Sequence, residues 1–449
     1  MGRPVDKRRS TSGTPARYTA LMNTTTTDAS PRAAALDILG AVLGNRRPLD
    51  EVLAGHGDLA RLDPRDRAFA RLLVATTLRR LGQIDALMDH CLERPLGPKA
   101  GQIRGILRLG ICQLAFLGTA PHAAVDGAVS LVGKNRPFRG LVNAVLRRIA
   151  RESESLAANH DAARLNTPDW LWQAWTGAYG EAATRAVAEA HMATPPLDLT
   201  AKTDPAAWGT RLNARLLPSG SLRRTLGGAI EDLPGYGDGA WWVQDAAAAL
   251  PARLLGEVAG ATVIDLCAAP GGKTAQLAGA GAKVVAVDRD KGRLERLTEN
   301  LARLGLGAET IQADAVKWRP AAPAPYVLLD APCTSTGTIR RHPDVARLKQ
   351  AADVGRMTAL QTRLLDAAHA MVAPGGVLVY CVCSLQPEEG PEAVAAALAR
   401  HPDLARESVT VEGLNEAVTG LGELRTLPFH WPEWGGLDGF YAARLRRRV

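Results

Sequence analysis

No run of about 18 or more apolar residues occurs in this chain of 449 residues, and even the Ala-rich stretch from Leu365 to Ala373 is broken by Asp366 and His369, so no helical membrane span is expected. An apolar signal-peptide core behind Met1 is also missing. Cysteine is sparse: Cys91, Cys112, Cys267, Cys333, Cys381 and Cys383 are scattered too thinly for a secreted disulfide scaffold. The expectation is a cytoplasmic protein with reduced thiols.

What the chain does have is length. With 46% hydrophobic residues, 449 residues exceed one ordinary core and supply two or three domains. The formal charge of +8 comes with arginines at both ends, Arg8-Arg9 and Arg444, Arg446, Arg447, Arg448, which suits a polyanionic partner but equally fits a solvated Arg-rich surface. Residues 1–30, rich in Ser, Thr and Arg, read as a disordered basic leader.

From residue 31 to 155 the pattern is helical. Ala68, Leu72, Leu73, Ala75, Leu78 and Leu81 fall mostly three and four apart, as do Ile103, Ile106, Leu107 and Ile111, and strand signals are missing. Pro and Gly punctuate at Asp63-Pro64 and at Gly118-Thr119-Ala120-Pro121, where Asp or Thr can cap the next helix. A last helix near Lys134 to Arg151 is basic on one side (Lys134, Arg136, Arg139, Arg147, Arg148), which is either a wet face or a phosphate-binding one. The segments RDRAFARLLVATTLRRLGQIDALM, LRLGICQLAFLGTAPHAAVDGAVSL and RGLVNAVLRRI resemble the NusB-like RNA-binding domain of the RsmB (Sun, Fmu) family of ribosomal RNA methyltransferases.

Residues 156–236 change character. NTPDWLWQAW, the Thr194-Pro195-Pro196 break and the alternation Leu197, Leu199, Ala201 read as a small α+β connector. In the family the connector carries RNA contacts through a Leu-Arg-x-Asn sequence; here Leu199-Thr200-Ala201-Lys202 stands in its place, leaving Lys202 to supply a charge. From residue 237 to 449, after Trp241-Trp242-Val243-Gln244-Asp245, the runs TVIDL, KVVAV, ETIQ, YVLLD and GVLVYCV alternate with helical stretches. Most are apolar on both faces, as strands of a doubly covered parallel sheet are. The whole is expected to be multidomain: an all-α NusB-like domain, the connector, and an α/β Rossmann-like class I methyltransferase domain with its ligand at the carboxyl ends of the strands.

The first of those strands runs into Cys267-Ala268-Ala269-Pro270-Gly271-Gly272-Lys273-Thr274, whose small residues let a ligand touch backbone. A triphosphate loop would need glycine at Cys267, and a G-x-G-x-x-G dinucleotide fingerprint is not there. What remains is a loop wrapping the methionine portion of S-adenosyl-L-methionine. Asp288, about 20 residues on, is placed for the ribose hydroxyls, and Asp314, after the third strand, for the adenine amine. Either alone is commonly a helix cap; in series at successive strand ends they point to the cofactor. Arg293, Lys273 and Asp330 are further cofactor candidates.

Two more strands end in Asp330-Ala331-Pro332-Cys333 and in Cys383-Ser384-Leu385-Gln386-Pro387-Glu388-Glu389. A single such cysteine is ordinarily an inert buried thiol; two at neighbouring strand ends, one beside Asp330, suggest a reactive site. A metal reading of Cys333, Cys381 and Cys383 lacks a fourth ligand, so no metal is expected, and Cys91 and Cys112 fall in helical core runs. A Pro-Cys thiol alone also suits DNA cytosine methyltransferases, and a non-catalytic RNA-binding or antitermination factor is another alternative.

DLCAAPGGKT, DAPCTSTGTIRRHPD, CSLQPEE and GGLDGFYAARLRR together resemble the RNA family. The resemblance implies methylation of cytosine C5 in 16S ribosomal RNA by a monomer, with Cys383 as nucleophile, Cys333 assisting release, Asp330 on the cytosine amino group and N3, and Lys273 ordering the site. The family's usual Thr before the nucleophile is Val382 here, which removes one possible hydrogen bond near the thiolate. Arg340-Arg341-His342-Pro343-Asp344 is expected to bring cationic forks to RNA phosphate, or else to form a capping turn with solvated arginines.

Overall fold

The computed structural model describes residues 30–225 and 228–449; the expected leader, residues 1–30, lies outside them apart from Ser30. The first part is all helix: α1 (Pro31–Leu43), α2 (Leu49–Gly55), α3 (Gly57–Arg61), α4 (Pro64–Arg79), α5 (Leu81–Cys91), α6 (Gly101–Ala115), α7 (Pro121–Ser130) and α8 (Arg139–Ala158). Of the two capping turns expected, the one at Asp63 forms, while α7 starts after Ala120 with no side-chain cap. Asp63 accepts the Asp66 N–H at 2.9 Å, and Pro64 occupies a first-turn position that needs no N–H. Helix α6 runs through the middle with Ile103, Ile106, Leu107, Ile111 and Cys112 all buried.

Three helices follow, α9 (Ala162–Asn166), α10 (Asp169–Tyr179) and α11 (Glu181–Met192), then a small antiparallel sheet. Its strands are β1 (Leu197–Ala201), β2 (Arg215–Leu216), β3 (Leu222–Arg224) and β4 (Trp241–Val243), in the order β2-β3-β1-β4, with α12 (Pro205–Arg211) across the first connection. The connector sheet thus takes its last strand from beyond residue 236, because β4 pairs with β1 through Leu199↔Val243.

After α13 (Leu250–Arg253) comes the large sheet: β5 (Thr262–Leu266), α14 (Gly272–Gly279), β6 (Lys283–Asp288), α15 (Lys291–Leu304), β7 (Glu309–Gln312), β8 (Ala324–Asp330), α16 (Val345–Leu348), α17 (Ala351–Met371), β9 (Val372–Val382), α18 (Pro391–Arg400), β10 (Leu404–Glu407), β11 (Leu424–Thr426) and β12 (Phe440–Arg447). The order is β10-β12-β9-β8-β5-β6-β7, with β11 on β12; β5 through β9 are parallel and β12 is antiparallel to β9. The chain leaves β5 toward β6 on one side and returns to β8 on the other, and that reversal opens a crevice at the carboxyl ends. Val263, Ile264, Val327, Leu328, Leu378 and Val379 are buried on both faces of the sheet, as the apolar runs required.

Candidate active site

Register decides which side chains meet. Strand β8 pairs with β9 so that Asp330 lies opposite Cys381, and the two strands then run on into Cys333 and Cys383. Across the loops the two sulfurs stand 3.5 Å apart. On the other flank, Leu266 lies level with Leu329 and Val287, so the next residue, Cys267, falls between Asp330 and Asp288.

The loop after β5 turns sharply at Cys267 (φ 59°) and Gly271 (φ 100°), and a Cβ at Gly271 would come 2.8 Å from the Leu297 side chain, so glycine is required there. Ala268, Ala269, Pro270, Gly271 and Gly272 form the turn into α14, while Cys267 lines a cleft of about 500 Å³ with Asp288, Arg293, Asp314, Pro332, Leu360 and Leu364. Asp288 accepts the Ala269 N–H at 3.1 Å and the Asp290 N–H at 2.9 Å, and Arg293 donates to the Ala269 carbonyl, so the loop is held by the acidic side chain at the end of β6. Asp314 is exposed and accepts the Val316 N–H at 3.0 Å. A cleft with two carboxylates on one wall and apolar side chains on the other has the donor set and shape for a nucleoside-type cofactor.

On the cysteine side, Lys273 projects from the first turn of α14, and its Nζ lies 2.7 Å from Asp330 Oδ2. Burial opposes its charge, but the Asp330 carboxylate more than offsets this and holds the ammonium above the usual lysine range. Asp330 Oδ1 receives the Cys381 thiol at 3.5 Å. Hydrogen bonding from Cys333 lowers the Cys383 thiol, whereas that same contact, then burial, pushes Cys333 well above the ordinary range. Asp265, under the loop, is pushed up to about 7 by burial. The thiols form no metal-ligand group; among the described residues such a grouping is His369, His401 and Asp403, next to the start of β9, away from the cysteines.

Several sequence expectations are corrected here. Arg340 and Arg341 are neither phosphate forks nor solvated: Arg340 is 2% exposed and pairs with Asp438 at 2.6 Å and Asp245 at 3.2 Å, and Arg341 binds Asp245 at 2.6 Å. Three buried carboxylates, Asp198, Asp245 and Asp438, fix those guanidiniums together with Arg223. Lys202 is spent on the Leu304 carbonyl at 2.8 Å, in the last turn of α15. Near the carboxyl end, Arg444 and Arg446 pair with Glu407, and Arg447 pairs with Asp403. Val382 is fully buried and alternates away from Cys381, so a hydroxyl there would enter an apolar layer. Glu389, Thr334, Ser384 and Gln361, buried around the two cysteine loops, escaped sequence reasoning because the polar residues that meet there are dispersed along the chain.

A doubly wound sheet with a small-residue loop after its first strand, acidic residues at the next strand ends and an entirely helical domain in front defines a Rossmann-like, S-adenosylmethionine-dependent methyltransferase with a NusB domain. Residues 252–446 match the family of 16S rRNA methyltransferase RsmB/F, and residues 29–151 match the NusB family. The ribosomal RNA small subunit methyltransferase B of Pseudomonas putida is 36% identical over 93% of this chain and 98% of its own length; that of Vibrio cholerae is 35% identical over 93% and 97%. Among solved structures, PH0851 is similar with a TM-score of 0.73 at 23% identity, covering 93% of this chain and 99% of that one, and NSun6 from Pyrococcus horikoshii with SFG has a TM-score of 0.56 at 18% identity, covering 63% and 98%. The chain belongs to the RsmB/Sun family of ribosomal RNA small subunit methyltransferases.

Proposed function

We propose that this methyltransferase methylates C5 of a cytosine in 16S ribosomal RNA, acting as a monomer through a covalent bond between Cys383 and C6 of the base. The observation that supports this reading is the 3.5 Å approach of two sulfurs from adjacent parallel strands, beside a buried Lys273–Asp330 pair. The substrate class follows from the relatives named as small-subunit enzymes.

Cytosine C5 is a weak nucleophile until a thiolate adds to C6 and makes the ring an enamine. Cys383, with its thiol lowered, is the sulfur prepared for that attack. Asp330, held on one oxygen by Lys273, would accept the amino N–H of the base and, as N3 takes a proton from water during the attack, the N3–H as well, so orienting C6 toward Cys383. S-adenosylmethionine, when bound, supplies an electrophilic methyl group. The loop from Cys267 to Gly272 would hold its methionine portion, Asp288 the ribose, Asp314 the adenine amine, with Arg293 at the cleft wall. After transfer, C5 carries both methyl and hydrogen. A water molecule would take that proton, its C–H electron pair re-forming the C5–C6 double bond as the Cys383 sulfur leaves, and Cys333, held as a thiol, would assist by hydrogen-bonding to the leaving thiolate.

The test is transfer of labelled methyl from S-adenosylmethionine to undermethylated 16S RNA. Cys383→Ala is expected to lower the rate about a thousandfold or more. Methylation by that variant at a rate near wild type would overturn the mechanism.

A further inference from the structure

Glu389 has no part in the chemistry above, yet it is 0% exposed and sits in the turn that follows the Cys383 loop. Its carboxylate is held by donors from both cysteine loops. One oxygen accepts the Thr334 N–H at 2.8 Å and the Gln361 side-chain amide at 3.3 Å; the other accepts the hydroxyls of Thr334 and Ser384. Burial raises the Glu389 carboxyl above the ordinary range, and the hydrogen bonds from Ser384, Thr334 and Gln361 oppose this; the proton count of those donors favours the ionised form. Ser384 Oγ already accepts the Gln386 N–H at 3.1 Å and lies 3.3 Å from Thr336 Oγ1, which itself accepts the Leu385 N–H at 3.0 Å, so the Ser384 proton is free to point at Glu389. All these donors are neutral. A buried carboxylate compensated by neutral donors alone is costly to keep, and an apolar side chain of the same volume would not carry that cost.

We propose that Glu389 is the positioning residue of the cysteine pair: it ties residue 334 to residue 384, so setting the spacing of the adjacent sulfurs, and its charge behind Cys333 leaves Cys383 as the sulfur that ionises. The catalytic consequence rests on the two-cysteine mechanism; the geometry does not. Two thiols at 3.5 Å cannot readily ionise together, so the surroundings must choose between them. The choice is asymmetric. Cys333 is held up by its bond with Cys383, by burial, by the Cys383 charge and then by Glu389, whereas Cys383 is lowered by the Cys333 thiol, against burial and the Asp330 charge, with Ser335 and the Lys273 ammonium helping.

Alkylation of the free protein by iodoacetamide from about pH 6 to about pH 10, followed by mass spectrometry of the two cysteine peptides, reads this choice directly. In the wild type Cys383 is expected to react at lower pH than Cys333. Glu389→Gln keeps the shape and removes the charge; the two titrations are expected to move together by about one pH unit, and Cys333 to react about tenfold faster at fixed pH. A folded Glu389→Gln protein with an unchanged gap overturns the proposal. Glu389→Asp keeps the charge and is expected to keep the order of reaction; losing it as fully as the Gln variant would show that charge is not the cause. Should the Gln variant not fold, the Asp variant decides alone, order kept supporting the proposal and order lost overturning it. Neither RNA nor cofactor is present in this measurement, so it stands or falls separately from the RNA assay.

Discussion

Cys333 and Cys383 are 50 residues apart in the chain and 3.5 Å apart at their sulfurs, and the surroundings of the two thiols are unequal. If Cys333 serves release, Cys333→Ala lets Cys383 add to the base and then stalls the elimination. That variant is expected to accumulate a protein–RNA adduct, visible as a slow-migrating band on a denaturing gel; a clean gel would remove Cys333 from the role. That both cysteines and Asp330 lie at strand ends was legible in the sequence, because a thiol or carboxylate after an apolar run is a local pattern. The contact made by Cys381 was not. Its thiol meets Asp330 Oδ1 only because β8 and β9 pair in the register Asp330↔Cys381.

At the level of elements, the stretch after the Pro-Cys loop is a joint between domains. Arg340 and Arg341 lock onto the connector and the carboxyl-terminal part through Asp198, Asp245 and Asp438. A few residues on, Asp344 reaches the helical domain: its Oδ2 accepts the Leu49 N–H at 2.9 Å, capping the first turn of α2 from a different domain. Arg79 of α4 donates to the Arg340 carbonyl at 2.8 Å in the same joint. Asp344→Ala leaves a buried N–H without an acceptor and is expected to cost about 1–3 kcal/mol, measured as a lower urea midpoint. An unchanged midpoint would mean that the two domains are not coupled there. Sequence reasoning placed the helices and most strands of the large sheet correctly, since hydrophobic period and caps are local. It misread the arginines because nothing local tells a guanidinium whether carboxylates from two other parts of the chain will surround it.

Across the whole molecule, the helical domain, the second helical group and the catalytic part enclose a small cavity lined by Leu78, Arg79, Trp175, His191, Ile339 and Pro343. His191 packs edge-on against Trp175 at 5.5 Å. Burial, reinforced by the charges of Arg340 and Arg79, lowers its pKa to about 3. In the unfolded chain it takes up a proton near pH 6.5 and in the folded one it does not, so its contribution is complete above about pH 6.5 and is lost as pH falls toward about 3, at roughly 1.4 kcal/mol per pH unit. His191→Leu is expected to flatten the acid side of the stability curve between about pH 6.5 and about pH 5 in urea unfolding. Parallel curves for the two proteins would exclude His191 as the acid-sensitive element.

The sequence by itself determined the order of parts, the small-residue loop after the first strand of the large sheet and the candidate residues at the strand ends, because each is written in contiguous residues: a period, a cap, a glycine turn, a cysteine at the end of an apolar run. Only the tertiary structure decided which of them meet. Strand register brought the sulfurs together, buried carboxylates claimed the arginines expected at RNA, and Glu389 came to bridge two loops whose residues Thr334 and Ser384 lie 50 apart in the chain. Pairing between distant segments depends on the packing of the whole sheet, and no local pattern encodes it.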